Sequence, residues 1–132
     1  MLKEALKKAD AREIAPLAYA IHLLVNKLPV AMRSKEKPGV RVEKGKIVDT
    51  NYEGYVLKLA MELKRTLRVT VIKGPYAGLP VIVVPIIDID NPEEVLGAVG
   101  VVDITAGIFE EVLLLARRPE LMKFLPEDAF PK

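Results

Sequence analysis

Arg33, Lys35, Lys37 and Arg41 place four cations within nine residues, opposed only by Glu36. A guanidinium grips an oxyanion through two parallel N–H donors and an ammonium acts as a point charge, so this spacing suits the phosphate or carboxylate of a small anionic ligand. Pro38 and Gly39 turn the segment and restrict it enough to hold the charges together. Tyr76, at the tip of Gly74-Pro75-Tyr76-Ala77-Gly78, is placed to close over such a ligand. Asp103 completes the candidate ligand-binding set; at the exit of a predicted strand it is better suited to a structural turn, accepting from backbone amides or from Thr105, than to catalysis. The bland alternative for the basic run is a solvated charged face.

Other chemistries lack their parts. The chain has no cysteine, so thiolate nucleophiles, thiolate metal sites and disulfides are excluded. Its one histidine, His22, has no acidic residue three or four positions on, and reads as a structural side chain. Ser34, the sole serine, lies in charged sequence without the tight strand-to-helix turn that exposes a nucleophile. The two glycines of residues 74–78 lack the spacing and following lysine of a phosphate-binding loop, and read as a hairpin turn. Asp88, Asp90 and Glu93 lack the calcium-loop pattern and read as a solvated acidic turn. No cofactor and no metal are expected, and an enzyme would be limited to carboxylates and lysines.

At 132 residues the chain can bury one core, and 51% hydrophobic against 29% charged residues lies outside the disordered range. A net charge of +2 gives no general pull toward nucleic acid or an anionic membrane. The charged start, MLKEALKKADAREIAP, has no signal-peptide core, and no apolar run approaches a membrane span. A soluble, cytoplasmic protein is expected. The absence of glutamine and the abundance of Glu, Lys, Arg, Val and Pro match thermophile usage.

These residues need elements to position them. Asp10 and Glu13 have capping-box spacing and Pro16 fits a first turn, which predicts a helix over 11–28 ended by Pro29. Its main apolar stripe leaves Ala15, Tyr19 and Leu23 on nearly the opposite side, a second face that calls for a partner such as another copy of the chain. Val40 and Val42 against Ile47 and Val48 predict a hairpin about Glu43-Lys44-Gly45-Lys46, and Thr50 or Asn51 is read as the cap of a helix to about Leu67. Val69–Ile72, Pro80–Ile87 and Val95–Ile104 form a three-stranded meander, and Thr105 caps a last helix to Arg118. Strand residues 80–87 are apolar on both faces, so helices should cover both: the second helix one side, the first and third the other. Gly97 and Gly100 mark close approach by a helix or ligand. The expectation is one α+β domain over 1–132, comprising the N-terminal helix (11–28), a sheet-and-helix core (38–118) and a tail (119–132). Its order is α-β-β-α-β-β-β-α, with five antiparallel strands flanked by helices.

The run PVIVVPIIDID followed by EVLGAVGVVDIT resembles the last two strands of PAS and GAF sensor domains. With MRSKEKPGVRVEKGKIVD and GPYAGLPV, the chain resembles a small archaeal family of unknown function found largely in methanogens. The resemblance implies a PAS/GAF-like, profilin-like layout of the kind used to sense small molecules or to dimerise, and it carries no catalytic residue. The expected function is therefore a non-enzymatic small-molecule-sensing or regulatory module, homodimeric through Ala15, Tyr19 and Leu23. The alternatives are an interaction scaffold without ligand, roadblock- or profilin-like, and a carboxylate and lysine enzyme acting on an anionic substrate.

Overall fold

In the computed structural model residues 2–103 are described. The first helices are α1 (Leu2–Lys8) and α2 (Ala11–Leu24). Asp10 caps α2 as its spacing predicts: its carboxylate accepts from the Glu13 amide at 2.9 Å while the Glu13 carboxylate accepts from the Asp10 amide at 3.0 Å. This satisfies two of the amides that a helix start leaves unpaired. Three strands follow, β1 (Val30–Ser34), β2 (Gly39–Glu43) and β3 (Lys46–Tyr52), then α3 (Tyr55–Leu63) and the strands β4 (Leu67–Thr70), β5 (Pro80–Asp88) and β6 (Asn91–Val102).

All six strands join one antiparallel sheet in the order β3-β2-β1-β6-β5-β4. Two meanders of three strands meet at the β1–β6 ladder, which runs from Val30 opposite Val101 to Ser34 opposite Gly97. The sheet thus has six strands where five were expected. The added strand is β1, which the helix prediction over 11–28 and the charged-loop reading of Arg33 and Ser34 had concealed. Helix α2 stops at Leu24, and a turn with Asn26 and Lys27 at positive φ leads to Pro29 and into β1. The α3 start also moves: β3 continues to Tyr52, so Thr50 and Asn51 are strand residues and Gly54 stands at the helix cap. Ile104, the predicted helix to Arg118 and the tail 119–132 lie outside the described residues.

The β2–β3 hairpin closes through Lys44 and Gly45, both at positive φ, the backbone pair that matches strand twist in a two-residue turn. Pro85 lies beyond the end of β4, whose last partner on β5 is Val83, so one side of β5 is open there. That is the setting in which strand proline is tolerated. A Cβ at Gly97 would collide with the Arg33 carbonyl, so glycine lets β6 lie tightly against β1.

One face of the sheet packs Val30, Met32, Val40 and Val42 against Ile14 and Ala18 of α2. The other carries Ala31, Val81, Val83 and Val102 beneath Val56, Leu57 and Ala60 of α3. Burying each of the larger aliphatic side chains contributes about 1.5–3 kcal/mol, which outweighs the weak helix tendencies of the short α3. His22 is fully buried: Nδ1 lies 2.7 Å from the Leu28 carbonyl and Nε2 accepts the Gly45 amide at 3.0 Å. With one ring nitrogen facing an acceptor and the other a donor, the Nδ1–H tautomer is fixed and His22 joins α2 to the β2–β3 turn. Among the described residues no helix is long and apolar enough to cross a membrane.

Candidate functional site

The connection between β4 and β5 is a nine-residue strap, residues 71–79, that leaves one end of the sheet and comes back to it. Its base is closed by the Val71 amide on the Leu79 carbonyl at 3.0 Å and the Gly78 amide on the Val71 carbonyl at 2.7 Å. Near its start the Ile72 amide donates to the Tyr55 hydroxyl of α3 at 3.0 Å. At its tip Tyr76, only 7% exposed, donates from its hydroxyl to a Glu43 carboxylate oxygen at 3.3 Å, so the strap reaches from the β4 side of the sheet to β2.

Arg41 is the centre of what Tyr76 meets. Its Nη1 donates to Glu43 at 2.9 Å and its Nε to Asp49 at 3.3 Å. Its guanidinium carbon lies 5.6 Å from the ring centroids of both Tyr52 and Tyr76, and those rings meet edge to face at 6.2 Å. Burial pushes the Tyr76 phenol well above the ordinary tyrosine range, with the Glu43 carboxylate acting in the same direction; burial also raises Tyr52. Both phenols are therefore neutral donors at physiological pH.

Directly inside this cluster lies an apolar cavity of about 30 Å³, room for a molecule of about water size. Its floor is Ala31, Val83 and Gly100 of the sheet, its roof Val56 and Leu57 of α3, and the strap supplies Val71 and Tyr76. A Cβ at Gly100 would stand 2.9 Å from Val83 Cγ2 and 3.5 Å from Leu57 Cδ2, so this glycine lies under α3, as its place in the strand predicts.

The fold divides the basic segment. Arg41 packs on Tyr76 beside the cavity, while Arg33 and Lys35 line a separate open groove of about 350 Å³ with Lys58 of α3 and Lys64 directly after it. Arg33 is 5% exposed, and its guanidinium donates to the carbonyls of Ser34, Lys35 and Glu53 and to the Glu53 carboxylate. It is a pin for the backbone as well as a wall of the groove. Glu53 also pairs with Lys58 at 2.6 Å, and the Lys58 contact, more than Arg33, holds its carboxyl below the usual range. Lys37 is exposed on the β1–β2 loop, and Asp103 is half-buried directly after Val102, itself a cavity residue.

Ala15 and Tyr19 are half-buried and line a shallow groove with Ile47 and Thr50 of β3; the Tyr19 hydroxyl donates to the Gly45 carbonyl at 3.2 Å. Leu23, 49% exposed, faces outward. The acidic turn resolves into lysine pairs, Asp88 with Lys3 and Glu93 with Lys64, and Asp88 also accepts the Asp90 amide at 3.0 Å.

Sequence reasoning missed Tyr52 at the cavity, Glu43 and Asp49 around Arg41, Lys58 at the groove and Glu53, which pairs with Arg33 and Lys58 there. For Asp49 the signal was hidden by a bulge. Simple pairing from the Lys44-Gly45 turn sets Val48 opposite Arg41, but the register slips between Arg41 and Val42 and brings Asp49 there.

The fold and this strap-closed cavity define an α+β domain in which helices flank a six-stranded antiparallel sheet. The chain belongs to the archaeal family described as uncharacterized protein conserved in archaea (DUF2111), whose profile matches residues 21–105. It is 69% identical over 126 residues to the uncharacterized protein MJ0405 of Methanocaldococcus jannaschii, covering 96% of this chain and 94% of that protein. No solved structure matches the chain.

Proposed function

We propose that this chain is a non-enzymatic, PAS/GAF-like binding module that takes a small, mainly apolar molecule between α3 and the sheet and reports its presence through the strap. The observation that carries the reading is the apolar cavity lined by Tyr52 and Tyr76, whose rings also pack against Arg41 of the neighbouring Arg41, Glu43 and Asp49 cluster. An apolar pocket with a few convergent polar groups and a perturbed phenol is the usual form of a ligand site. The cluster sets two carboxylates against one guanidinium, which favours a neutral or cationic polar end over an anion. At about 30 Å³ the cavity admits only the smallest ligands, so a larger one displaces the strap, and that displacement is the signal.

Mass spectrometry of small molecules released on denaturing the purified protein tests this. A compound with an apolar body should be found and should raise the melting temperature when added back. Ala31→Leu, which fills the floor, should remove both effects while the domain stays folded. Release of nothing, together with no stabilisation by a panel of small apolar compounds, would remove the reading in favour of an interaction scaffold.

A second reading keeps the anionic ligand and moves it to the groove, where Arg33, Lys35, Lys58 and Lys64 converge. Here Glu53 already occupies two of the cations, so an added anion competes with an internal carboxylate.

A further inference from the structure

Helix α2 is apolar on the side that it does not bury. Ile14, Ala18 and His22 face the sheet, whereas Leu17, Leu23 and Leu24 are 52%, 49% and 81% exposed. At about 100° per residue, Pro16, Leu17, Ala20, Leu23 and Leu24 fall within an arc of about 120° centred on Ala20. Within this arc the helix carries one charge, exposed Glu13 in its first turn, and exposed Lys27, of opposite sign, lies beyond the other end in the positive-φ turn that follows the helix.

We propose that this face pairs with the same face of a second copy, α2 against α2 in antiparallel fashion about a two-fold axis through Ala20. The occupant follows from charge complementarity. An antiparallel pairing centred on residue 20 brings the Glu13 end of each helix to the Lys27 end of the other, once on each side of the axis, whereas a parallel pairing brings like ends together. It sets Leu17 across from Leu23 and Pro16 across from Leu24, so the exposed leucines cover one another. Ala20 on the axis is small enough for the helices to approach to the 8–10 Å typical of packed helices. Isologous pairing of this kind is the commonest closed assembly. The sequence expectation of a dimer face at Ala15, Tyr19 and Leu23 moves around the helix: Ala15 and Tyr19 pack within the chain beside β3, and Leu23 remains. This surface is independent of the ligand cavity, which lies on the opposite face of the sheet.

The test is the mass of the full chain by sedimentation and light scattering at about 50 micromolar, well above the micromolar Kd of a modest interface. A dimer is expected. Leu24→Glu, at a side chain almost wholly in solvent, should raise the dissociation constant at least tenfold and leave the melting temperature of the monomer unchanged. Glu13→Lys and Lys27→Glu should each associate poorly alone, and an equimolar mixture should form a one-to-one heterodimer, because every pair across the axis is then complementary. Should Glu13→Lys lose its helix cap and fail to fold, Leu24→Glu and Leu23→Glu still decide whether the face pairs. A monomeric parent overturns the proposal, as does a dimer that both leucine variants leave intact. Loss of fold in Leu24→Glu without change of mass means that the face is covered within the chain, and also overturns it. Folded charge variants that fail to associate when mixed overturn the antiparallel register.

Discussion

The Tyr76 hydroxyl donates to the Glu43 carboxylate at 3.3 Å, across 33 positions of sequence, and so fastens the strap between β4 and β5 to the second strand of the other meander. Two halves of the sheet that share the β1–β6 ladder thereby gain a second tie on the α3 face, and the cavity lies between the two.

Tyr76→Phe removes that tie and leaves the half-buried Glu43 carboxylate with one donor fewer, at a cost of about 1–3 kcal/mol for a hydrogen bond to a charged group. The phenol also sets an alkaline limit. Its folded pKa is raised above the ordinary value of about 10, so the stability it contributes is whole below that pH and is lost as pH rises toward the folded value. Chemical denaturation at pH 7 and pH 11 should show a steeper loss for the parent than for Tyr76→Phe; equal losses would place the alkaline limit elsewhere.

Much of the fold was legible in local sequence. Asp10 and Glu13 announce the α2 cap, Lys44-Gly45 the hairpin turn, and the Val and Ile runs the three-stranded meander, expected at 69–72, 80–87 and 95–104 and found at 67–70, 80–88 and 91–102. β1 was not legible, because five residues that follow a proline and include Arg33 and Ser34 look like charged loop; the carbonyls of adjacent Ser34 and Lys35, together with the distant Glu53, make a buried arginine tolerable in the strand. The site was half legible. Arg41 and Tyr76 could be picked singly as a cation and a tip aromatic, but their meeting depends on a strap whose path no local pattern encodes.

Gly100→Val tests the α3 side of the cavity. The new Cβ alone would approach Val83 Cγ2 to 2.9 Å, and the methyls beyond it would press on Leu57. Overpacking of this degree costs about 1–3 kcal/mol. An unchanged melting temperature would mean that α3 lifts freely from the sheet.

Acid should loosen α1 before the rest. Contact with Lys3 and with Lys7 holds the carboxyls of Asp88 and Glu94 below the usual range, and these pairs tie α1 to the β5–β6 hairpin at 2.7 Å each. A depressed carboxyl contributes stability that is present above its unfolded value of about 4 and lost as pH falls through the folded value. Hydrogen exchange in residues 2–8 should therefore accelerate, relative to β1 and β6, on going from pH 5 to pH 2.5. Replacing Lys3 and Lys7 by Met should make exchange there fast at both pH values; a pH response that survives the double substitution would assign the effect to other carboxyls.

The basic groove makes the last prediction, and Glu53 is its lever. This carboxylate is 60% exposed yet lies 2.6 Å from Lys58 Nζ and 3.3 Å from Arg33 Nη1, where an external oxyanion would otherwise fit. Glu53→Gln keeps the shape and removes the charge, leaving Arg33, Lys35, Lys58 and Lys64 opposed in the groove by Glu62 and Glu93. Phosphate or a small dicarboxylate at low ionic strength should then raise the melting temperature of Glu53→Gln by more than that of the parent, and the difference should shrink as sodium chloride is added, because exposed charges are screened within about 10 Å at 0.1 M salt. Lys58→Ala in the Glu53→Gln background should abolish the gain. Arg33 is unsuited to that control, since its loss would also free three backbone carbonyls. If the parent and Glu53→Gln respond alike, Glu53 does not gate the groove and its cations are a solvated face.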